Sequence, residues 1–533
     1  MPTDCITFRD TNYFSSLICD YLDENADLES FYNRFPKLEN FKAQMAEKSL
    51  SFSSETRQVL VQSLKDQYAS VAISEATENN ISLLSDTNTF TITTGHQLNL
   101  FTGPLYFFYK IISTINLCTQ LKATYPKQNF VPIYWMATED HDFEEINYFN
   151  FRGQKVQWNR EASGAVGELD INGLDAVFEV FANQLNSSTN AETLKQLFKN
   201  AYLEHQNLTD AMRFLVNELF KDLGLVIVDG NDAELKRLFI HYVEDELVTK
   251  TAFDNVSQAN QKLNNLQGNY KIQVNPREIN LFYITKDIRE RIVEVDGNYE
   301  VLNSNITWSK SEILKHLSEV PERFSPNVIM RPLFQEAILP NLCYIGGGGE
   351  LAYWLQLKSN FEAQNVTFPM LLLRNSVLII TEKQQEKLEK LEVSIQDLFL
   401  KQNTLRTKVA KDISEINIDF SSQKAHLKQQ FKDLYRLAEQ TDVSFVGAVK
   451  AQEVKQTKGL DNLESRLLKA QKRKLSDHLG RITRLQDELF PGQSLQERNM
   501  NFFEFYLEYG DALIPKLIKN LEPLKGEFLV LTV

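Results

Sequence analysis

Cysteine is scarce in this 533-residue chain, and its four thiols, Cys5, Cys19, Cys118 and Cys343, are scattered without a C-x-x-C pair. That spacing argues against a disulfide frame and against a thiolate zinc cage, so reduced and mostly buried thiols are expected. No run reaches the ~18 uninterrupted apolar residues that a membrane helix needs. The first ten residues, Met1 to Asp10, lack the basic-then-apolar order of a signal peptide. Positive charge is in deficit too: 57 Lys and Arg stand against 71 Asp and Glu, a formal net charge of -14. So acidic a surface repels phosphate backbones, which argues against nucleic acid as a general partner but leaves room for a local nucleotide pocket. The Walker pattern, the nucleophile elbow and the kinase signatures are all missing. The expectation is a cytoplasmic protein with no membrane and no nucleic acid among its partners.

What is present reads as an ordinary globular protein, 43% hydrophobic and 24% charged, long enough for roughly three domains of ~150 residues. Residues 1 to about 85 suggest helices and connections without a chemical motif. Thr89 to Gly95 is short, β-branched and closed by glycine, the pattern of a strand. Beyond the turn His96-Gln97-Leu98-Asn99, the spacing of Leu105, Phe108, Tyr109, Ile112 and Ile115 predicts a helix opening near Thr102-Gly103-Pro104. A second strand, Phe130 to Ala137, follows. Strand, helix, strand in fifty residues is a right-handed βαβ unit with parallel strands. The same grammar returns at Leu208–Val228, Val328–Met330, Leu342–Ile345 and Met370–Leu373, which predicts one parallel sheet with its ligand edge at the strands' carboxyl ends.

Two stretches interrupt that sheet. Residues 151–205 lean to helix, and residues 255–325 hold short strands with a hairpin at Asp296-Gly297. From Thr381 the chain changes character. Leu388, Leu391, Ile395, Leu398, Leu405 and Val409, then Leu468, Leu475, Ile482 and Leu489, keep heptad-like spacing around a non-periodic middle, as in an antiparallel helical hairpin. The tail Glu527–Val533 has the pattern of a final strand. The expected organisation is 1–150 N-terminal helices and first half of the core, 151–205 first insertion, 206–254 core, 255–325 second insertion, 326–380 core, 381–490 antiparallel coiled-coil arm, and 491–533 a return to the core.

Three constellations carry chemistry. Gly95-His96-Gln97 with Gly103-Pro104 suits phosphate oxygens at a helix N-terminus, with His96 stabilising developing charge; a plain strand-to-helix turn is the rival reading. Glu139-Asp140-His141-Asp142-Phe143-Glu144-Glu145 gathers five carboxylates and a histidine at a strand end. Such a set suits Mg²⁺ beside ATP phosphates, an ammonium group or a general base, against the alternative of a solvated helix start. Gly346-Gly347-Gly348-Gly349-Glu350 has room for an anion or serves only conformation. Arg331, Arg374 and Asn375 are expected at strand ends, where forked hydrogen bonds take carboxylates or phosphates. His205, His241, His316, His426 and His478 have no partner pattern and read as structural.

Several blocks together carry a resemblance. They are Thr94-Gly95-His96-Gln97 with Leu100–Tyr106, Trp135–Phe143, Phe324-Ser325-Pro326-Asn327, Arg331-Pro332, Leu339-Pro340-Asn341, Tyr344–Gly347, Glu350–Trp354, Arg374-Asn375-Ser376 and Ser494–Arg498. In this order, across essentially the whole chain, they resemble the cysteine ligase family of bacillithiol synthesis, BshC. The resemblance implies an α/β fold: a Rossmann-like parallel sheet core related to class I aminoacyl-tRNA synthetases, two inserted connecting-peptide subdomains, and a long α-helical coiled-coil arm that dimerises. It further implies an ATP-dependent ligase that joins cysteine to glucosaminyl-malate. On that reading Gly95, His96 and Gly103 face phosphate. Gln97, Glu139 and Gly347 line the substrate, Asp140, His141 and Asp142 hold an amino group, a metal or a proton, and Arg331, Arg374 and Asn375 take the malate carboxylates. An ADP site at Pro491, Gly492, Gln493 and Ser494 is also expected. Two other classes remain open: a metal-dependent hydrolase built on His96 with the Glu139–Asp142 cluster, and a catalytically silent coiled-coil assembly protein.

Overall fold

Strands buried on both faces must be apolar or must satisfy their polar side chains within the sheet, and the central strand here does the latter. In the computed structural model, which describes residues 3–533, Thr89–His96 is buried along its whole length. Its Thr91 and Thr93 hydroxyls donate to Asn341 Oδ1, and Thr94 donates to the Ile345 carbonyl. Around it lies a five-stranded parallel sheet in the order Met370–Leu373, Asn341–Gly346, Thr89–His96, Asn129–Met136, Val226–Asp229. The chain starts at the centre, works out to one edge, then crosses to the other side. The order therefore reverses between Thr89–His96 and Asn341–Gly346, and there the helices leave the sheet in opposite directions and open a crevice.

The predicted helix after the first strand is real but begins later, at Tyr106–Thr124, and Thr102 does not cap it. Leu100–Thr102 forms a 3₁₀ turn in which Phe101, Thr102 and Gly103 all have positive φ, at 49°, 67° and 63°. Phe101 packs among Phe181, Phe198 and Phe503. Asn501 Nδ2, from the C-terminal tail, donates to the carbonyls of Phe101 and Gly103 at 2.9 and 2.7 Å. Aromatic burial and those two bonds hold a bend that two non-glycine residues resist.

Val328–Met330 is not a strand. Asn327 Oδ1 accepts from the N–H groups of Ile329 and Met330, and with Pro332 in the first turn this starts the helix Met330–Ile338, on which Arg331 rides. The strand in that stretch is Phe324–Pro326, an edge of a separate five-stranded antiparallel sheet with Leu281–Ile284, Arg289–Val295, Asn298–Val301 and Thr307–Ser309. Its hairpin turns at Asp296 and Gly297, both at positive φ, as the Asp-Gly pair predicts. The first insertion holds a hairpin, Tyr148–Phe151 with Gln154–Gln157, and the helices Leu174–Gln184 and Thr189–Tyr202.

Two further expectations are corrected. Thr3–Thr7, within the region read as helices and connections, is a strand paired with the tail strand Glu527–Thr532, which also pairs with Val377–Ile380. The tail thus closes a small sheet of its own rather than extending the core. The leucines from 388 to 409 do not form one heptad seam. They lie on three short helices, Glu382–Lys390, Ile395–Leu398 and Gln402–Asp412. Glu392 at φ 54° and the Ser394 cap break the run, and Leu398, Leu405 and Val409 bury in the same apolar cluster as Leu479, Ile482, Leu485 and Leu489 on the helix Ser476–Leu489. The hairpin proper is Ser421–Ala438 against the 32-residue helix Val443–Lys474, joined by Phe431, Ala438 and Val449. No helix among the described residues is long and apolar enough to cross a membrane.

Replacing Asn501 by Ala leaves the buried Phe101 and Gly103 carbonyls without partners. Urea unfolding should show a loss of about 1–3 kcal/mol, whereas an unchanged midpoint would mean that the bend holds without its clasp.

Candidate functional site

The crevice at the sheet's reversal opens into a cavity of ≈ 790 Å³. Seven cationic side chains and three carboxylates line it, an excess of positive charge in a chain whose net charge is -14. Such a pocket draws anions out of solution.

At its floor lies an ion pair that no local pattern announces. Lys110, on the helix that follows the central strand, is buried; its Nζ donates to the Gly95 carbonyl at 2.7 Å and lies 2.6 Å from Glu350 Oε2. Burial lowers the Lys110 pKa. Burial would raise that of Glu350, but the Lys110 charge, with bonds from the Gly347 N–H (2.8 Å) and the Tyr344 hydroxyl (2.7 Å), keeps the carboxyl ionised and its pKa lowered. Glycine at 95 matters sterically, because a Cβ there would lie 3.3 Å from the Tyr344 hydroxyl.

His96 lies beside this pair, packed against Tyr106 and Phe107. Burial, then the charges of Lys110 and Arg374, push its pKa well below the ordinary value, so the ring is neutral. Its Nε2 is buried without a hydrogen-bond partner. Arg374 pairs with the buried Glu497 at 2.7 Å and bonds Ser376 and the Asn375 carbonyl, leaving Nε unpaired. Arg331 donates Nη1 to Gln335 and leaves Nη2 unpaired.

Along the other wall the acidic cluster is largely spoken for. Glu139 pairs with the buried Lys236. Asp140 accepts from Gln97 Nε2 and from the His141 N–H, both at 2.8 Å. Burial pushes its pKa up, but bonds from His141 and Gln97 and the Arg289 charge outweigh that and hold it well below the carboxylate range. Gln97 also reaches Glu145 at 2.9 Å. Arg289, stacked on Phe282, sits 2.8 Å from His141 Nδ1; a guanidinium only donates, so that nitrogen accepts. Among the described residues no three His, Cys, Asp or Glu side chains are placed to hold a metal ion.

Gly95, His96, Gln97, Glu139, Asp140, His141, Arg331, Gly347 and Arg374 therefore meet around one cavity; the first six lie at adjacent strand ends, where Gly95 pairs with Trp135 and His96 with Met136. Four expectations change. The Gly95 turn is no helix-terminus phosphate cradle, since the helix starts only at Tyr106. Gly103 is absent from the lining, and a Cβ there would meet Asn99 Cβ at 2.5 Å, so its role is the bend. Asn375 turns inward to Ser113 and the Glu522 carbonyl. Asp142 stays outside the lining, in the exposed turn before Phe143–Ile146. Gly347 spends its N–H on Glu350, so only Gly348 and Gly349 of that loop face the cavity with free backbone. Pro491, Gly492, Gln493 and Ser494 form a turn outside this lining, where the Pro491 and Gln493 carbonyls accept from Asn499 and Tyr13. Motif reading missed Lys110, Arg277, Arg289, Arg291 and Arg498. Only Lys110 left a signal, as the one charge in an otherwise apolar helical run from Phe107 to Ile112.

Two family models match the chain: "Bacillithiol biosynthesis BshC, N-terminal Rossmann-like domain" over residues 1–375 and "Bacillithiol biosynthesis BshC, C-terminal coiled-coil domain" over residues 377–533. The chain is 60% identical over 536 residues to a protein of Christiangramia forsetii, covering 100% of this chain and 99% of the other. It is 58% identical to one from Flavobacterium johnsoniae over the whole of both chains. A third, from Cytophaga hutchinsonii, is 37% identical over 97% of this chain and 96% of its own. All three carry the name "Putative cysteine ligase BshC".

Neutral, buried His96 has a pH signature. Its folded pKa lies below the 6.5 of an exposed histidine, so as pH falls through that value the unfolded chain takes up a proton the native state refuses. Relative to His96→Gln, the wild type should lose up to ~1.4 kcal/mol of stability per pH unit below pH 6.5. Urea midpoints of the two that run parallel from pH 7 to pH 5 would show that His96 is not held neutral.

Proposed function

The chain belongs to the BshC family of bacillithiol biosynthesis, and from that premise we propose that this ligase uses ATP to join the carboxyl group of cysteine to the glucosamine amine of glucosaminyl-malate, in the cytoplasm. The observation that carries the reading is the Lys110–Glu350 pair at the crevice floor, ringed by unpaired donors of Arg331 and Arg374. A ligase of this kind must gather several anionic reactants in one dry site, and a cation-rich cavity at the sheet's reversal supports that.

ATP, when bound, supplies the activation that a carboxylate lacks. Lys110, Arg374 and Arg498 are the cations suited to its phosphates, beside Gly348 and Gly349. Mg²⁺ bound to those phosphates would need few protein ligands, which agrees with carboxylates already taken by Lys236, Gln97 and Lys110. That arrangement also weighs against the hydrolase alternative. Arg331 is suited to a malate carboxylate. Asp140, ionised and doubly bonded, is a poor proton acceptor and a good anchor for the cysteine ammonium. The attacking amine must release a proton as the carbon–nitrogen bond forms; His96, held neutral beside Lys110, is a poor place to keep it, so we assign its unpaired Nε2 to accepting a hydrogen bond that orients the amine, the proton itself leaving to water. The Pro491–Ser494 turn remains our assignment for a separate ADP site.

Incubation with ATP, cysteine and glucosaminyl-malate should yield bacillithiol by mass spectrometry only when all three are present. Product without ATP, or none with all three, would sink the proposal. Lys110→Met should lower kcat by roughly 10²–10³, while Asp142→Asn, outside the lining, should leave it within about twofold.

We further propose a homodimer joined through the arm, because Leu434, Leu437, Val443, Phe445, Val454 and Leu463 expose apolar surface along its two long helices. Light scattering at micromolar concentration should give twice the chain mass of 61.6 kDa. A dimer that survives Leu437→Glu with Phe445→Glu would place the contact elsewhere.

A further inference from the structure

We propose that Gln335, which cannot touch a ligand, is the positioning residue that aims Arg331 into the cavity and thereby sets affinity for the acceptor's carboxylate end. The identity of that acceptor rests on the ligase reading above; the aiming of Arg331 does not.

Arg331 is boxed by three aromatic rings, with Trp135, Tyr344 and Trp354 at 5.8, 5.8 and 5.9 Å from its guanidinium carbon. Ring faces attract a cation but do not fix its rotation in its own plane. Neighbouring side chains do: Nη1 donates to Gln335 Oε1 at 2.9 Å and Tyr353 lies beside the guanidinium, while Nη2 is buried without a partner and the residue lines the cavity. An amide holds an arginine edge only if it cannot flip, and here the flip is blocked. Gln335 Nε2 donates to Glu336 Oε1 at 2.9 Å, which turns its oxygen toward Arg331. The same Glu336 oxygen accepts from Asn341 Nδ2 at 2.7 Å. Asn341 is itself locked, because its Oδ1 accepts the Thr93 and Thr91 hydroxyls at 2.9 and 3.3 Å.

The chain of orientation thus runs from the central strand through Asn341, Glu336 and Gln335 to Arg331, and each amide has one allowed setting. Gln335, Glu336 and Asn341 are all buried to 1% exposure or less. Lys48, equally buried, lies 3.7 Å from Glu336 Oε2 and keeps a counter-charge on that carboxyl. So deep a polar relay is costly to build for packing alone, and it ends on an arginine that lines the cavity. A planar carboxylate is the ligand group that such an edge matches.

The test is calorimetric titration of L-malate, with its dimethyl ester as the uncharged control, into the wild type and two variants, alongside steady-state kinetics. Gln335→Leu frees Arg331 to turn. Malate binding should weaken about tenfold or more, and KM for glucosaminyl-malate should rise by the same factor, with kcat and KM for cysteine within about twofold. Gln335→Glu keeps an acceptor for Arg331 but sets a second carboxylate against Glu336. It should retain malate affinity within about threefold while its thermal midpoint drops. Unchanged malate affinity and KM in Gln335→Leu, or a Gln335→Glu as weak as Gln335→Leu, overturns the inference. A wild type that makes no bacillithiol sinks the ligase reading instead, and the malate titration still decides whether Gln335 aims Arg331.

Discussion

An ammonium and a carboxylate taken out of water cost several kcal/mol each unless they meet. In this protein Lys110 and Glu350 meet at 2.6 Å in the crevice where the strand order reverses. The first comes from the helix after the central strand, the second from the helix after its neighbour. Pairing them fixes how those helices leave the sheet, and so fixes the crevice itself. Glu350 also takes the Gly347 N–H and the Tyr344 hydroxyl, and Lys110 takes the Gly95 carbonyl. Removing either charge strands the other in a pocket that already holds Arg331 and Arg374.

The second constraint is the grip of the C-terminal segment on the core. Glu497 pairs with Arg374 and also accepts the Val377 N–H, Gln496 bonds both backbone groups of Ile379, and Asn501 holds the strained bend at Phe101–Gly103. All three residues follow the arm in the chain, and Arg498 beside them lines the cavity. The cavity is therefore finished by the domain that carries the arm, which couples arm and cavity through buried bonds rather than through a loose linker.

Electrostatics then sort the reactants. The chain as a whole is acidic while the cavity is cationic, so anions are favoured there. Within it, the carboxylates that looked catalytic in the primary structure are mostly taken up by the Lys236 and Arg289 charges and the Gln97 hydrogen bonds. The unpaired groups of the lining residues include instead His96 Nε2, Arg289 Nε, Arg331 Nη2 and Arg374 Nε. What a buried group lacks says more about ligands than what an exposed cluster contains.

Local rules read the βαβ unit, the Asp-Gly hairpin and the strand-end position of Gly95–Gln97 and Glu139–His141 from the amino acids alone, because period and turn chemistry are short-range. They misjudged Val328–Met330, where Asn327 Oδ1 takes the Ile329 and Met330 N–H groups and turns the chain into a helix, and the seam from Leu388 to Val409, where a positive φ at Glu392 broke the spacing. They could not say that Asn375 and Gly103 face inward, nor find Arg277, Arg289 and Arg291, whose stretch carries no motif. Sequence by itself determined the parallel core, the strand-end edge on which the cavity opens and the family resemblance. Which buried charges pair, and which donors are left free, was decided only by tertiary structure, because Lys110 and Glu350, or Arg374 and Glu497, lie far apart along the chain and a charge chooses its partner by distance through space.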